Sequence, residues 1–174
     1  MLSAPAWCAE GDLARCEALL AHARVHMEAT LPPRQTMMGT LAMEEAQLSL
    51  ARHDPSLARD QLRQALSIFE AGEGWNPNRL RTLGLLARVE LQLGDKTAAA
   101  EVAAQAVAQS RAALGGFAQS AWLGDALLAQ AEVQNAEGNK AARATLAEAL
   151  TQLRETTGDG APSTREAKAL LAAL

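Results

Sequence analysis

Few residues in this chain have the types and spacing that chemistry needs. His22 and His26 stand four apart, a separation that puts two imidazoles on one face of a helix and could hold a divalent metal. Nothing completes the set. No nearby glutamate or cysteine supplies a third ligand, and the zinc-protease motif needs its glutamate between the two histidines. The two cysteines, Cys8 and Cys16, have neither a zinc nor a thioredoxin spacing. Cys16 reads as a small core residue, and a reducing compartment disfavours a Cys8–Cys16 disulfide. Gly72-Glu73-Gly74 lacks the following Gly-Lys-Ser/Thr of a phosphate loop and reads as a helix stop. No Ser/His/Asp or Cys/His arrangement presents itself. The expectation is a protein that is not an enzyme, with no metal and no cofactor.

Composition narrows the class. The 174 residues are 49% hydrophobic and 21% charged, the balance of a folded chain rather than a disordered one. Aromatics are only 3% and tyrosine is absent, while alanine, the best helix former, is abundant. Helices follow, with little material for strands, which favour branched and aromatic residues. A net charge of −4 and no basic stripe speak against nucleic acid as a partner. No apolar run approaches the ~20 residues that span a bilayer. Met1-Leu2-Ser3-Ala4-Pro5-Ala6-Trp7 has no secretory pattern. A cytoplasmic protein that meets no membrane is expected.

The elements that must position any site announce themselves by repetition. Leu86 to Val107 reads as helix, turn at Gly94-Asp95, helix, with apolar and alanine positions at three- and four-residue steps. Turns of the same kind fall at Gly11-Asp12, His53-Asp54 and Gly138-Asn139. After each turn two alanines stand seven apart: Ala14/Ala21, Ala58/Ala65, Ala99/Ala106 and Ala142/Ala149. Seven residues before three of the turns stand Ala46, Ala87 and Ala131. Pro33, Pro77 and Pro162 mark linkers, and Trp7, Trp75 and Trp122 read as packing residues at linkers and junctions. Ser163-Thr164-Arg165-Glu166 fits a capping box. A regular period of about 42 residues means stacked helical hairpins, each unable to bury its apolar face alone.

The small residue, the turn and the Ala-x6-Ala that follows it resemble the tetratricopeptide repeat (TPR). The longer period, with proline after a glycine-bearing linker, resembles its kinesin-light-chain-like variant. The resemblance implies an all-α fold, an α-solenoid of antiparallel helical hairpins wound as a right-handed superhelix. It covers residues 1–174 as one domain: a half repeat at 1–33, repeats at about 34–77, 78–117 and 118–161, and a C-terminal capping helix at 162–174. The leading helix of the first hairpin is a stub, which reads as the C-terminal part of something longer. The Ser-Thr-Arg-Glu ending is similar to that of repeat modules attached to bacterial kinases and transcriptional regulators.

In that family the first helix of each repeat lines a concave groove that binds peptides or protein segments. The corresponding face here carries Thr40, Met43 and Gln47; Arg81, Gly84 and Arg88; and Asp125, Leu128 and Glu132. Each trio has the three- and four-residue steps of one helical face. Arg81 and Arg88 could take a carboxylate in bidentate fashion, or Arg88 could pair with Glu132, its equivalent one repeat along. The Lys/Asn clamp that the family uses for C-terminal carboxylates is absent. The expected function is a protein-interaction module of a bacterial regulatory or signalling protein, with Met43, Gln47, Arg81, Arg88, Asp125, Leu128 and Glu132 as groove residues. The alternative is an oligomerisation or regulatory domain in which the end of the stack meets a second copy.

Overall fold

The computed structural model describes residues 12–72 and 76–174. Trp7, Cys8, Gly11, Glu73, Gly74 and Trp75, with the expected N-terminal stub, lie outside the described residues. Those described form eight helices and no strand: α1 (Leu13–Thr30), α2 (Thr36–Ala51), α3 (Pro55–Ala71), α4 (Pro77–Gln92), α5 (Lys96–Ala113), α6 (Ala121–Ala136), α7 (Ala142–Thr157) and α8 (Pro162–Ala173). The chain divides into two compact units, Met1–Thr82 and Leu83–Leu174, with the boundary inside α4.

One turn is built three times. His53, Gly94 and Gly138 adopt positive φ of 61°, 86° and 70°. The next residue's N–H then reaches back to the carbonyl of the preceding helix: Asp54 to Ser49 at 2.9 Å, Asp95 to Glu90 at 3.0 Å, Asn139 to Gln134 at 2.8 Å. Such left-handed caps satisfy carbonyls that a helix end leaves bare. The aspartate that follows opens the next helix. Asp54 accepts from Leu57 N–H and Asp95 from Ala98 N–H, both at 3.0 Å, and Asp12 caps α1 in the same way through Arg15 N–H at 3.1 Å.

These caps fix the register of the small residues. Four residues beyond each aspartate stand Cys16, Ala58 and Ala99, all fully buried. Ala14 and Ala21, expected to be the small pair of the first half repeat, are exposed. Cys16, fully buried, and Ala23, half-buried, hold those places. Cys16 is not a free thiol but disulfide-bonded, against the expectation of a reduced core cysteine; Cys8 lies outside the described residues.

In the first unit α1 packs on α2, and α2 on α3. Cys16, Leu20, Leu41 and Leu48 form one cluster there. Where α2 meets α3, a Cβ on Gly39 would fall 2.7 Å from the ring of Phe69. In the second unit α5 packs on α6, α6 on α7, and α8 on both α7 and α6. Ala87, Ala99, Ala103, Ala129 and Val133 form a core of small residues. Between α6 and α7 the glycine device recurs: a Cβ on Gly124 would meet Leu153 Cγ at 2.7 Å. A glycine opposite a bulky residue lets two helices approach while the bulk fills the gap.

Two helix starts differ from expectation. Ser120 caps α6 by accepting from Leu123 N–H at 3.4 Å, so that helix begins later than residue 118. The capping box at Ser163 does not form. Pro162 is already in the first turn of α8, Ala161 is its N-cap, and no side chain caps it. Proline presets the helical φ and needs no donor partner there, which leaves Glu166 for a different contact.

Candidate interaction face

On the first helices of the repeats, three rows recur in register: Thr40, Arg81 and Asp125; Met43, Gly84 and Leu128; Gln47, Arg88 and Glu132. The middle row is core. Met43 and Leu128 are both 0% exposed, and Gly84 is buried. Helices α2 and α6 bury apolar residues nearly all round, the pattern of a helix covered on several sides. Met43 and Leu128 therefore offer a ligand nothing in this structure, contrary to expectation.

The outer rows are polar and half-buried or exposed. In the first unit Arg81 donates from Nη2 to Gln47 Oε1 at 3.0 Å and lies 3.4 Å from Glu44 Oε1. Gln47 donates to Glu44 Oε2 at 2.7 Å, and Asn78 to Thr40 Oγ1 at 3.0 Å. Burial pushes the Glu44 carboxyl above the ordinary range, with Arg81 and the Gln47 amide holding it back.

The second unit holds a tighter cluster. Arg88 donates from Nε to Glu132 Oε2 at 2.8 Å. Its Nη2 serves two carboxyl groups at once, Glu132 Oε1 at 3.0 Å and Glu166 Oε2 at 3.1 Å. Burial is the main force on Glu132 and pushes its pKa up to about 7. Arg88 works against that rise, while the adjacent Glu166 adds to it. Asp125 is half-buried with an interaction of its own. The sequence pairing of Arg88 with Glu132 is present. The contributions of Glu44, Asn78 and Glu166 are additions that sequence reasoning missed. Glu166 was hidden by the capping-box pattern, and Glu44 by lying off the repeat register.

Chemically these clusters are suited to binding, since a guanidinium fork takes carboxylates. His22 and His26 are both exposed. No group of three or more His, Cys, Asp or Glu among the described residues is placed to hold a metal. No described helix is long and apolar enough to cross a membrane.

Two further surface features stand out. In the first unit a cleft of about 460 Å³ is lined by Glu17, Arg24, Glu45, Arg52 and Gln61 among others. Arg52 grips Glu17 with two bonds of 2.8 and 2.5 Å, and holds its carboxyl below the usual range. Arg24 is bonded to both Glu45 and Glu28. In the second unit Trp122, expected to pack at a junction, is 40% exposed beside Phe117 at 80%. Together with Leu114 they line an apolar hollow of about 310 Å³.

No protein-family profile matches the chain, and no curated protein matches it in sequence. Solved structures do match in fold. A Podospora anserina putative kinesin light chain with nearly identical TPR-like repeats is 20% identical, with a TM-score of 0.68 over 98% of this chain and 81% of its own. A point variant of that protein gives a TM-score of 0.69 at 20% identity, over 98% of this chain and 80% of its own. BtubC (BKLC) from P. vanneervenii matches at 20% identity with a TM-score of 0.69, over 94% of this chain and 64% of its own. The recurring turn, the buried small residues and these matches together give the chain the all-α, TPR-like solenoid fold of kinesin-light-chain type.

Proposed function

We propose that this chain is a protein-interaction module that takes a peptide or partner segment through the polar rows of its first helices. Arg81 and Gln47 serve in the first unit, and Arg88, Asp125 and Glu132 in the second. The observation that carries the reading is the pair of guanidinium groups held half-open. The side chains of Arg81 and Arg88 are 43% and 33% exposed while already oriented by neighbours. Oriented side chains on rigid helices lose little entropy when a ligand carboxylate arrives. The setting we infer is a regulatory or signalling protein of bacterial origin, by analogy with repeat modules that carry a motif similar to Ser163-Thr164-Arg165-Glu166.

The test is a pull-down beside an Arg81→Gln/Arg88→Gln variant whose helicity is first matched by circular dichroism. Partners captured by the native chain and lost by the variant support the reading; partners held equally by both overturn it. Self-association is the second reading, favoured by Leu19 and Val25 on α1, which are 40% and 70% exposed. A mass that grows with protein concentration, unaltered in the variant, marks that outcome.

A further inference from the structure

We infer that α8 is an acid-strengthened clasp: Glu132 and Glu166 share one proton around Arg88, and loss of that proton loosens the helix from α4 and α6. The geometry makes the case. Oxygens of two carboxyl groups lie 3.0 and 3.1 Å from one nitrogen of Arg88, which places them beside each other. One guanidinium brings a single positive charge to two carboxyls, and Glu132 has only 20% of its side chain exposed. Two carboxylates crowded into a partly desolvated site cannot both ionise cheaply, so one keeps a proton and donates it to the other. A carboxyl–carboxyl hydrogen bond between Glu132 and Glu166 accordingly adds to the raised affinity of Glu132 for a proton.

Several charged groups of the neighbouring helices are engaged elsewhere. On α5, Arg111 is held by Glu148 of α7 at 2.8 Å. Asp159 engages both Arg154 of α7 and Lys168 of α8, at 3.0 and 2.6 Å. Arg165 donates to the Gly160 carbonyl at 2.9 Å. Glu166 is thus the contact through which α8 reports on the Glu132 proton. Thr164 and Ala167 of α8 are fully buried, so release of the helix uncovers apolar surface on the hairpin beneath it.

The sign follows from linkage. Glu132 binds its proton more tightly when α8 is docked, so docking is strongest in acid and weakens as pH rises toward the docked pKa near 7. Hydrogen exchange of the α8 amides, corrected for intrinsic rates, reads the open fraction. That fraction is expected to rise by up to about tenfold per pH unit between about pH 5 and 7, and to level off above about pH 8. Glu132→Gln, whose amide mimics the protonated acid, is expected to flatten the profile. A flat native profile, or an unchanged slope in Glu132→Gln, overturns the clasp. Carbon-13 titration of the native Glu132 carboxyl guards against a variant that fails to fold. A midpoint near 7 supports the shared proton, and an ordinary carboxylate midpoint refutes it.

Discussion

Gly124→Ala and Gly84→Ala make the same chemical change on first helices and are expected to move stability in opposite directions. Exchanging glycine for alanine inside a helix gains about 1 kcal/mol from backbone propensity alone. At Gly84 that gain goes unopposed, because nothing lies within 4 Å of the new methyl group. At Gly124 the methyl would sit 2.7 Å from Leu153 Cγ and 2.8 Å from its Cδ2. Leu153 is 0% exposed, and its branch carbon cannot swing aside as a chain end could. Forcing a methyl into such packing costs about 1–3 kcal/mol. The two variants should therefore differ by about 1–3 kcal/mol, which for a chain of this size is a Tm gap on the order of 2–10 °C. Urea unfolding followed at 222 nm measures both, with equal m-values as the condition for comparison. Gly124→Ala proving as stable as Gly84→Ala would refute the close approach of α6 and α7.

Two more substitutions probe the turn and the row that proved buried. His53 alone among the three equivalent turn residues is not glycine, and it holds φ at 61°. His53→Gly should raise stability by about 0.5–1 kcal/mol, the left-handed strain relieved less the extra freedom of the unfolded chain; a fall in the urea midpoint would count against that turn geometry. Leu128→Ala should cost about 2–5 kcal/mol, as expected for a fully buried leucine, whereas a loss under about 0.5 kcal/mol would return Leu128 to the surface.

The repeat was legible because it is written in residues that act locally. A positive-φ glycine, the aspartate after it and a small residue four positions on each specify one turn and one helix contact without reference to the rest of the chain. His53 escaped no count, since the aspartate beside it carried the signal. In α1 the small place is taken by a cysteine, so a search for alanines seven apart settles on Ala14 and Ala21, two residues out of register. The site was less legible because it depends on how helices tilt. Thr40, Met43 and Gln47 lie on one face by spacing, but whether that face is open depends on what packs over α2, and Met43 is covered. Glu166 stands 78 residues from Arg88 in sequence. No period links the two, and a plausible local role at the start of α8 concealed the contact.

The clusters around Arg81 and Arg88 also constrain what a partner can be. An acidic segment arriving at Arg88 would displace Glu166, whose side chain is 48% exposed, more readily than Glu132 at 20%. That is an exchange of one carboxylate for another at a half-open pair, worth about 0–1 kcal/mol. Affinity would then have to come from apolar contact, while the arginine sets register and orientation. A basic segment meets the opposite situation. It would bring a second positive charge to a cluster in which one guanidinium already serves two carboxyls, and Glu166, with 48% of its side chain exposed, is the group it would meet first. Under the proposed function the two signs of charge are told apart by what each does to that contact: an acidic segment exchanges with Glu166 for Arg88, whereas a basic one pairs with Glu166 and leaves Arg88 to Glu132.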